Sequence, residues 1–180
     1  MIDEILKFNE SFVADKKYEQ YATTKYPDKK LAIVSCMDTR LTELLLASLG
    51  LKNGDAKIIK NAGGLVMSPF DSTVRSLLVG VYELGVNEIM IIGHTDCGAQ
   101  HLDCDEMIGM MLDRGVSAEK IGMMRYCGID FRAWLGGFGS NEEAVRRSVS
   151  LVAEHPLMPK GITVRGFIID SYTGKLTEVV

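Results

Sequence analysis

Leu31-Ala32-Ile33-Val34-Ser35-Cys36 is a short apolar run that breaks off into Met37-Asp38-Thr39-Arg40. An apolar segment of this length, with β-branched Ile33 and Val34 at its centre, reads as a strand buried on both faces. Outward from it the pattern alternates. Thr42 to Leu49 reads as a helix closed by Gly50, where a left-handed residue ends a helix at little cost. Ala56 to Asn61 is a second strand, followed by the small-residue loop Ala62-Gly63-Gly64. Asp71 or Ser72 caps a helix running to Leu84, with Gly85 beyond its end, and Glu88 to Gly93 is a third strand. Strands alternating with helices predict an α/β fold: a mostly parallel sheet flanked by helices on both faces.

The two ends of the chain extend this scheme. Ile5, Phe8 and Phe12 recur at helical intervals, so roughly Ile2 to Tyr21 reads as helix, and residues 1–27 form an N-terminal helical arm with apolar surface to place. Past Cys97 helices are expected over Asp105 to Arg114, Ala118 to Tyr126 and from the Ser140/Glu143 capping pair through Val152. Ile162 to Asp170 is a long strand, and Tyr172-Thr173-Gly174-Lys175 turns the chain into a closing strand, Leu176 to Val180. Without a linker, repeat or composition break, residues 1–180 read as a single domain.

The composition excludes several partners. At 180 residues with 47% hydrophobic and 24% charged side chains, the chain has the material for a globular core. A formal net charge of −4 opposes nucleic-acid binding, which depends on clustered basic surface. No apolar run approaches the roughly 20 residues that cross a bilayer. The acidic start Met1-Ile2-Asp3-Glu4 does not resemble a signal peptide, so a cytoplasmic protein without stable disulfides is expected. The four cysteines and three histidines therefore call for another use.

Ligands of open α/β sheets collect beyond the carboxyl ends of the strands. There the first strand ends in Cys36-Met37-Asp38-Thr39-Arg40 and the third in His94-Thr95-Asp96-Cys97-Gly98. His94 and Cys97 are three residues apart, a spacing that lets both point one way from a tight turn. If the two strands are neighbours, Cys36 joins them. Two thiolates and one imidazole form a recognised catalytic zinc set that leaves a fourth tetrahedral position open. If the extended strand continues, Asp38 and Arg40 share the face of Cys36. Arg40 would then hold the Asp38 carboxylate ionised, either to orient a nucleophile or to close the metal's fourth position. The local pattern equally allows a plain structural ion pair.

Cys36-Met37-Asp38-Thr39-Arg40-Leu41, Asn61-Ala62-Gly63-Gly64 and Gly93-His94-Thr95-Asp96-Cys97-Gly98 resemble, in order and separation, the motifs of β-class carbonic anhydrases of the shorter, prokaryotic type. The resemblance implies Zn2+ held by Cys36, His94 and Cys97, with Asp38 and Arg40 as the catalytic dyad. It also implies reversible hydration of carbon dioxide to bicarbonate by zinc-bound hydroxide, the activity of a lyase. Further implications are an obligate homodimer or higher even oligomer and an arm that embraces the neighbouring subunit.

Two other readings use the same residues. One is a carbon disulfide or carbonyl sulfide hydrolase on this scaffold; the other is a non-catalytic zinc module with Asp38 closing the site. A thiol phosphatase is disfavoured, because Cys36 and Arg40 enclose three residues where a phosphate loop needs five. Asn61-Ala62-Gly63-Gly64 lacks the Gly-Lys-Ser/Thr ending of a phosphate loop and reads as a flexible turn or an anion contact. Cys104 and Cys127 are expected to be inert thiols, His101 and His155 solvated side chains, and most of the ten methionines core packing.

Overall fold

The central apolar run forms β1 (Leu31–Cys36) in a computed structural model that describes residues 1–180. Ile33 and Val34 have no exposed surface, as a strand covered on both faces requires. β2 (Ala56–Asn61) and β3 (Glu88–His94) flank it in parallel. β4 (Thr163–Ile169) runs parallel to β3, and the short β5 (Leu176–Glu178) closes the edge antiparallel to β4. The strand order is β2-β1-β3-β4-β5. The chain moves outward from β1 to β2, then returns past β1 to lay down β3. This makes the carboxyl ends of β1 and β3 the switch point where such sheets bind ligands.

Alternation along β1 sorts its side chains between two cores. Ala32 and Val34 pack with Val74 and Leu77 of α3 (Ser72–Leu84) and with Val145, Val149 and Val152 of α7 (Asn141–Ala153). On the other face Ile33 meets Leu41 and Leu45, the latter from the five-residue α2 (Leu44–Ser48), together with Phe167 and Ile169. Asp71 caps α3 by accepting from Val74 N at 2.9 Å, and Gly85 ends it with φ 74°. Ser140 caps α7 through Glu143 N at 3.3 Å. Each boundary follows the capping chemistry legible in the sequence.

Several boundaries and environments differ from expectation. The arm breaks into α1 (Ile2–Ala14) and a 3-10 turn over Lys17–Tyr21, because Lys16 adopts a left-handed backbone, φ 54°. α4 (Cys104–Asp113) starts one residue early, where Asp103 caps it, and α5 (Ala118–Tyr126) follows as expected. α6 (Phe131–Leu135), capped by Asp130, was not foreseen; a single turn is too short to show helical periodicity. Most methionines are not core residues: none is fully buried, Met90 and Met158 pack half-buried against the two cores, and Met110, Met123 and Met124 lie on outer faces of α4 and α5. His155 is 4% exposed rather than solvated. Its Nε2 donates to Pro69 O at 2.8 Å and its Nδ1 accepts from Leu157 N at 3.2 Å, so the neutral ring braces two loops. His101 is exposed as expected, while the free thiols divide, Cys104 buried and Cys127 exposed. No helix is long and apolar enough to cross a membrane.

Candidate metal centre

Cys36 is the last residue of β1 and His94 the last of β3. The register pairs Ser35 with Ile92, so both side chains leave the sheet at one edge. The turn after β3 brings Cys97 back to them through Asp96, whose φ is 54°. The three side chains are 5%, 0% and 1% exposed, and their donor atoms lie within 4.8 Å of one another. Cys36 Sγ and Cys97 Sγ are 3.9 Å apart, close to the ~3.8 Å edge of a tetrahedron with ~2.3 Å Zn–S bonds.

Hydrogen bonding fixes the imidazole. His94 Nδ1 is 2.8 Å from Thr95 O, and a carbonyl only accepts, so Nδ1 carries the proton. Nε2 is left with its lone pair, buried and without a partner, which otherwise costs about 1–3 kcal/mol. The thiols want the same remedy. Burial resists ionisation of Cys36; a protonated His94 ring and then the main-chain amides of Asp38 and Gly63 favour it and draw the thiol below its ordinary value. Burial, and then the neighbouring charge of Cys36, push Cys97 the other way. A divalent cation between the sulfurs would bring both to thiolate and use the orphaned Nε2. The donor set fits zinc.

Asp38 and Arg40 arrive beside the triad by a different route from the one expected. β1 stops at Cys36, and Thr39–Leu41 is a 3-10 turn capped by Asp38, whose Oδ1 accepts from Arg40 N at 2.9 Å. The turn, rather than strand alternation, folds the guanidinium back onto the carboxylate. Arg40 Nε donates to Asp38 Oδ1 at 3.0 Å and Nη2 to Oδ2 at 2.8 Å, a two-pronged pair. These bonds hold the Asp38 carboxyl well below the usual carboxylate range, at about 2. Asp38 Oδ2 lies 4.0 Å from His94 Nε2, at the open side of the triad.

The surroundings include residues that the sequence did not single out. Lys60 Nζ donates to Cys36 O at 3.0 Å and Leu41 O at 3.2 Å, tying both ends of the Asp38 turn to β2. Ser171 N donates to Thr95 Oγ1 at 3.0 Å and steadies the turn between His94 and Cys97. A lysine near the end of a strand and a serine after one carry no distinctive sequence signal. The Asn61-Ala62-Gly63-Gly64 loop is packed rather than flexible. Gly64 has φ 68°, and a Cβ there would stand 2.5 Å from Cys36 N. A cavity of about 520 Å³ lies beyond the Asn61–Gly64 loop, walled by Ala62, Leu65, Ala99, Leu102, Trp134 and Phe138 with Asp71 and Asp130 among its polar residues; none of Cys36, Asp38, Arg40, His94 or Cys97 lines it.

The carbonic anhydrase family model matches residues 31–176. The chain belongs to the β-class carbonic anhydrase family. It is 49% identical over 179 residues to "Putative carbonic anhydrase YvdA" of Bacillus subtilis, covering 99% of this chain and 91% of that protein. Its fold matches the crystal structure of β-carbonic anhydrase isoform I of Trichomonas vaginalis with a TM-score of 0.91 at 36% identity, covering 100% of this chain and 97% of the other. The chain is also 29% identical to "Carbon disulfide hydrolase" of Saccharolobus solfataricus, over 91% of this chain and 85% of that protein.

Proposed function

We propose that the protein is a zinc-dependent carbonic anhydrase that catalyses the reversible hydration of carbon dioxide to bicarbonate and a proton. One observation carries this reading: a buried S, N, S donor set with an ionised Asp–Arg pair at its open side. Cys36, His94 and Cys97 would hold the zinc, which supplies Lewis-acid activation of water as a nucleophile. Asp38 stays anionic throughout the physiological range, so it accepts a hydrogen bond and orients the attacking oxygen. A carboxylate held at about 2 is too weak a base to store the proton, which must pass on to buffer. Arg40 keeps Asp38 ionised and aimed.

The Asp38–Arg40 contacts favour a catalytic site over a closed zinc module. Both carboxylate oxygens are engaged by Arg40, and occupying the metal's fourth position would give up part of that pairing. Initial rates of CO2 hydration on protein of known zinc content, assayed beside CS2 and COS, test the proposal. Hydration proportional to zinc content supports it; turnover of a sulfur substrate without CO2 hydration at any pH overturns it.

We further propose a cytoplasmic homodimer or higher even oligomer, each subunit a single domain with its arm, residues 1–27, laid on a neighbour. No residue of α1 is buried, and Ile5 and Phe8 are 62% and 66% exposed. An apolar helix face of this kind is costly to leave in water. Light scattering coupled to size exclusion should give at least two protomers, and a monomer at micromolar concentration would refute the assignment.

A further inference from the structure

Arg40 is held by two carboxylates, only one of which belongs to the dyad. Asp38 takes the Nε/Nη2 edge of the guanidinium. Asp96 takes the Nη1/Nη2 edge, its Oδ2 accepting from Nη1 at 2.9 Å and its main-chain oxygen from Nη2 at 2.9 Å. A planar fork gripped along two edges has its rotation and its plane both fixed. The contact also has a backbone signature. Asp96 sits at φ 54°, a left-handed conformation that costs a residue with a Cβ about 1 kcal/mol. In that conformation the carbonyl and the carboxylate of one residue reach the same edge of Arg40.

We propose that Asp96 is a positioning residue for the hydration reaction, acting through Arg40: it fixes the guanidinium independently of Asp38, so that Asp38 keeps its aim. This rests on the reading of Asp38 and Arg40 as the catalytic dyad. The Arg40 side chain is 34% exposed, so without a second anchor it has positions in solvent to explore. Asp96 is 78% exposed, which limits the size of its effect to that of a solvated ion pair.

Four variants test this: Asp96→Gly, Asp96→Asn, Arg40→Ala, and Arg40→Ala combined with Asp96→Gly. Glycine adopts the left-handed backbone freely and removes only the carboxylate. Asparagine tolerates that backbone and can still offer an amide oxygen to Nη1. Asp96→Gly should lower kcat for CO2 hydration about threefold to fivefold, with zinc per protomer unchanged. Asp96→Asn should recover at least half of that loss. In the Arg40→Ala background, Asp96→Gly should cost nothing more, because its target is gone. Wild-type kcat in Asp96→Gly beside an impaired Arg40→Ala would overturn the role of Asp96 alone. The same fractional loss in both backgrounds, or loss of zinc, would assign Asp96 to the Cys97 turn instead. Wild-type kcat in Arg40→Ala would refute the dyad itself.

Discussion

Replacing Gly64 by alanine would drive a methyl group into the main chain that carries Cys36, a proposed metal ligand. Two costs are separable. The first is conformational: φ is 68°, and an alanine held there loses about 1–2 kcal/mol. The second is steric. The new Cβ would stand 2.5 Å from Cys36 N, 2.8 Å from Ser35 C and 3.0 Å from Ile92 O, all backbone atoms of buried strands. Ordinary carbon contacts begin near ~3.5 Å, so β1 or the loop must yield by about 1 Å, at a further cost of about 1–3 kcal/mol. Gly85 supplies the control. Its φ is 74° and nothing lies within 4 Å of an added Cβ, so Gly85→Ala carries the conformational cost alone.

The assay is urea unfolding at one fixed protomer concentration, since association makes the midpoint concentration-dependent. With a slope of about 2 kcal/mol per molar urea, Gly85→Ala should lower the midpoint by about 0.5–1 M and Gly64→Ala by about 1–2.5 M. Chelator competition should also show Gly64→Ala releasing zinc faster, because the yielding strand end is Cys36 itself, whereas Gly85→Ala should match the parent. Equal midpoints for the two variants, with zinc release unchanged, would refute the claim that this loop is packed against β1 to place the ligand.

Cys36→Ser and His94→Ala should each abolish zinc retention through dialysis, measured as metal per protomer; retention of one zinc by either would remove that residue from the ligand set. Asp38→Ala should keep its zinc yet lose about tenfold to a hundredfold in turnover, and full turnover would disprove its orienting role. Asp170 is held below the usual carboxylate range by the Thr173 amide, then by the Thr173 hydroxyl and the Tyr172 amide. A depressed carboxyl stabilises the fold above its unfolded value of about 3.9 and loses that contribution as pH falls through its folded value. Asp170→Asn should therefore be less stable than the parent at pH 6, and the gap in urea midpoints should narrow below pH 4. A gap that does not narrow would show that Asp170 acts through something other than its charge.

The sequence by itself determined the elements and the inventory of chemistry. Apolar runs within Leu31–Cys36 and Glu88–Gly93, the Asp71 and Ser140 caps and the Gly85 stop are local signals, read from a few neighbouring residues, and the backbone follows them, the third strand running one residue further to His94. Cys36, His94 and Cys97 were legible as donors for the same reason, since few residue types bind zinc and these stand at strand ends. What the tertiary structure decided is what meets what. The order β2-β1-β3 makes Cys36 and His94 neighbours across a wide gap in sequence. A 3-10 turn, not strand alternation, puts Arg40 onto Asp38. Lys60 and Asp96 reach that turn from β2 and from the segment after β3, and no local pattern could announce either. Most of the methionines expected inside lie outside, and a histidine expected in water is buried, because burial is set by how elements pack rather than by what each contains. Side-chain type specifies which interactions are possible, whereas close packing and strand register select among them.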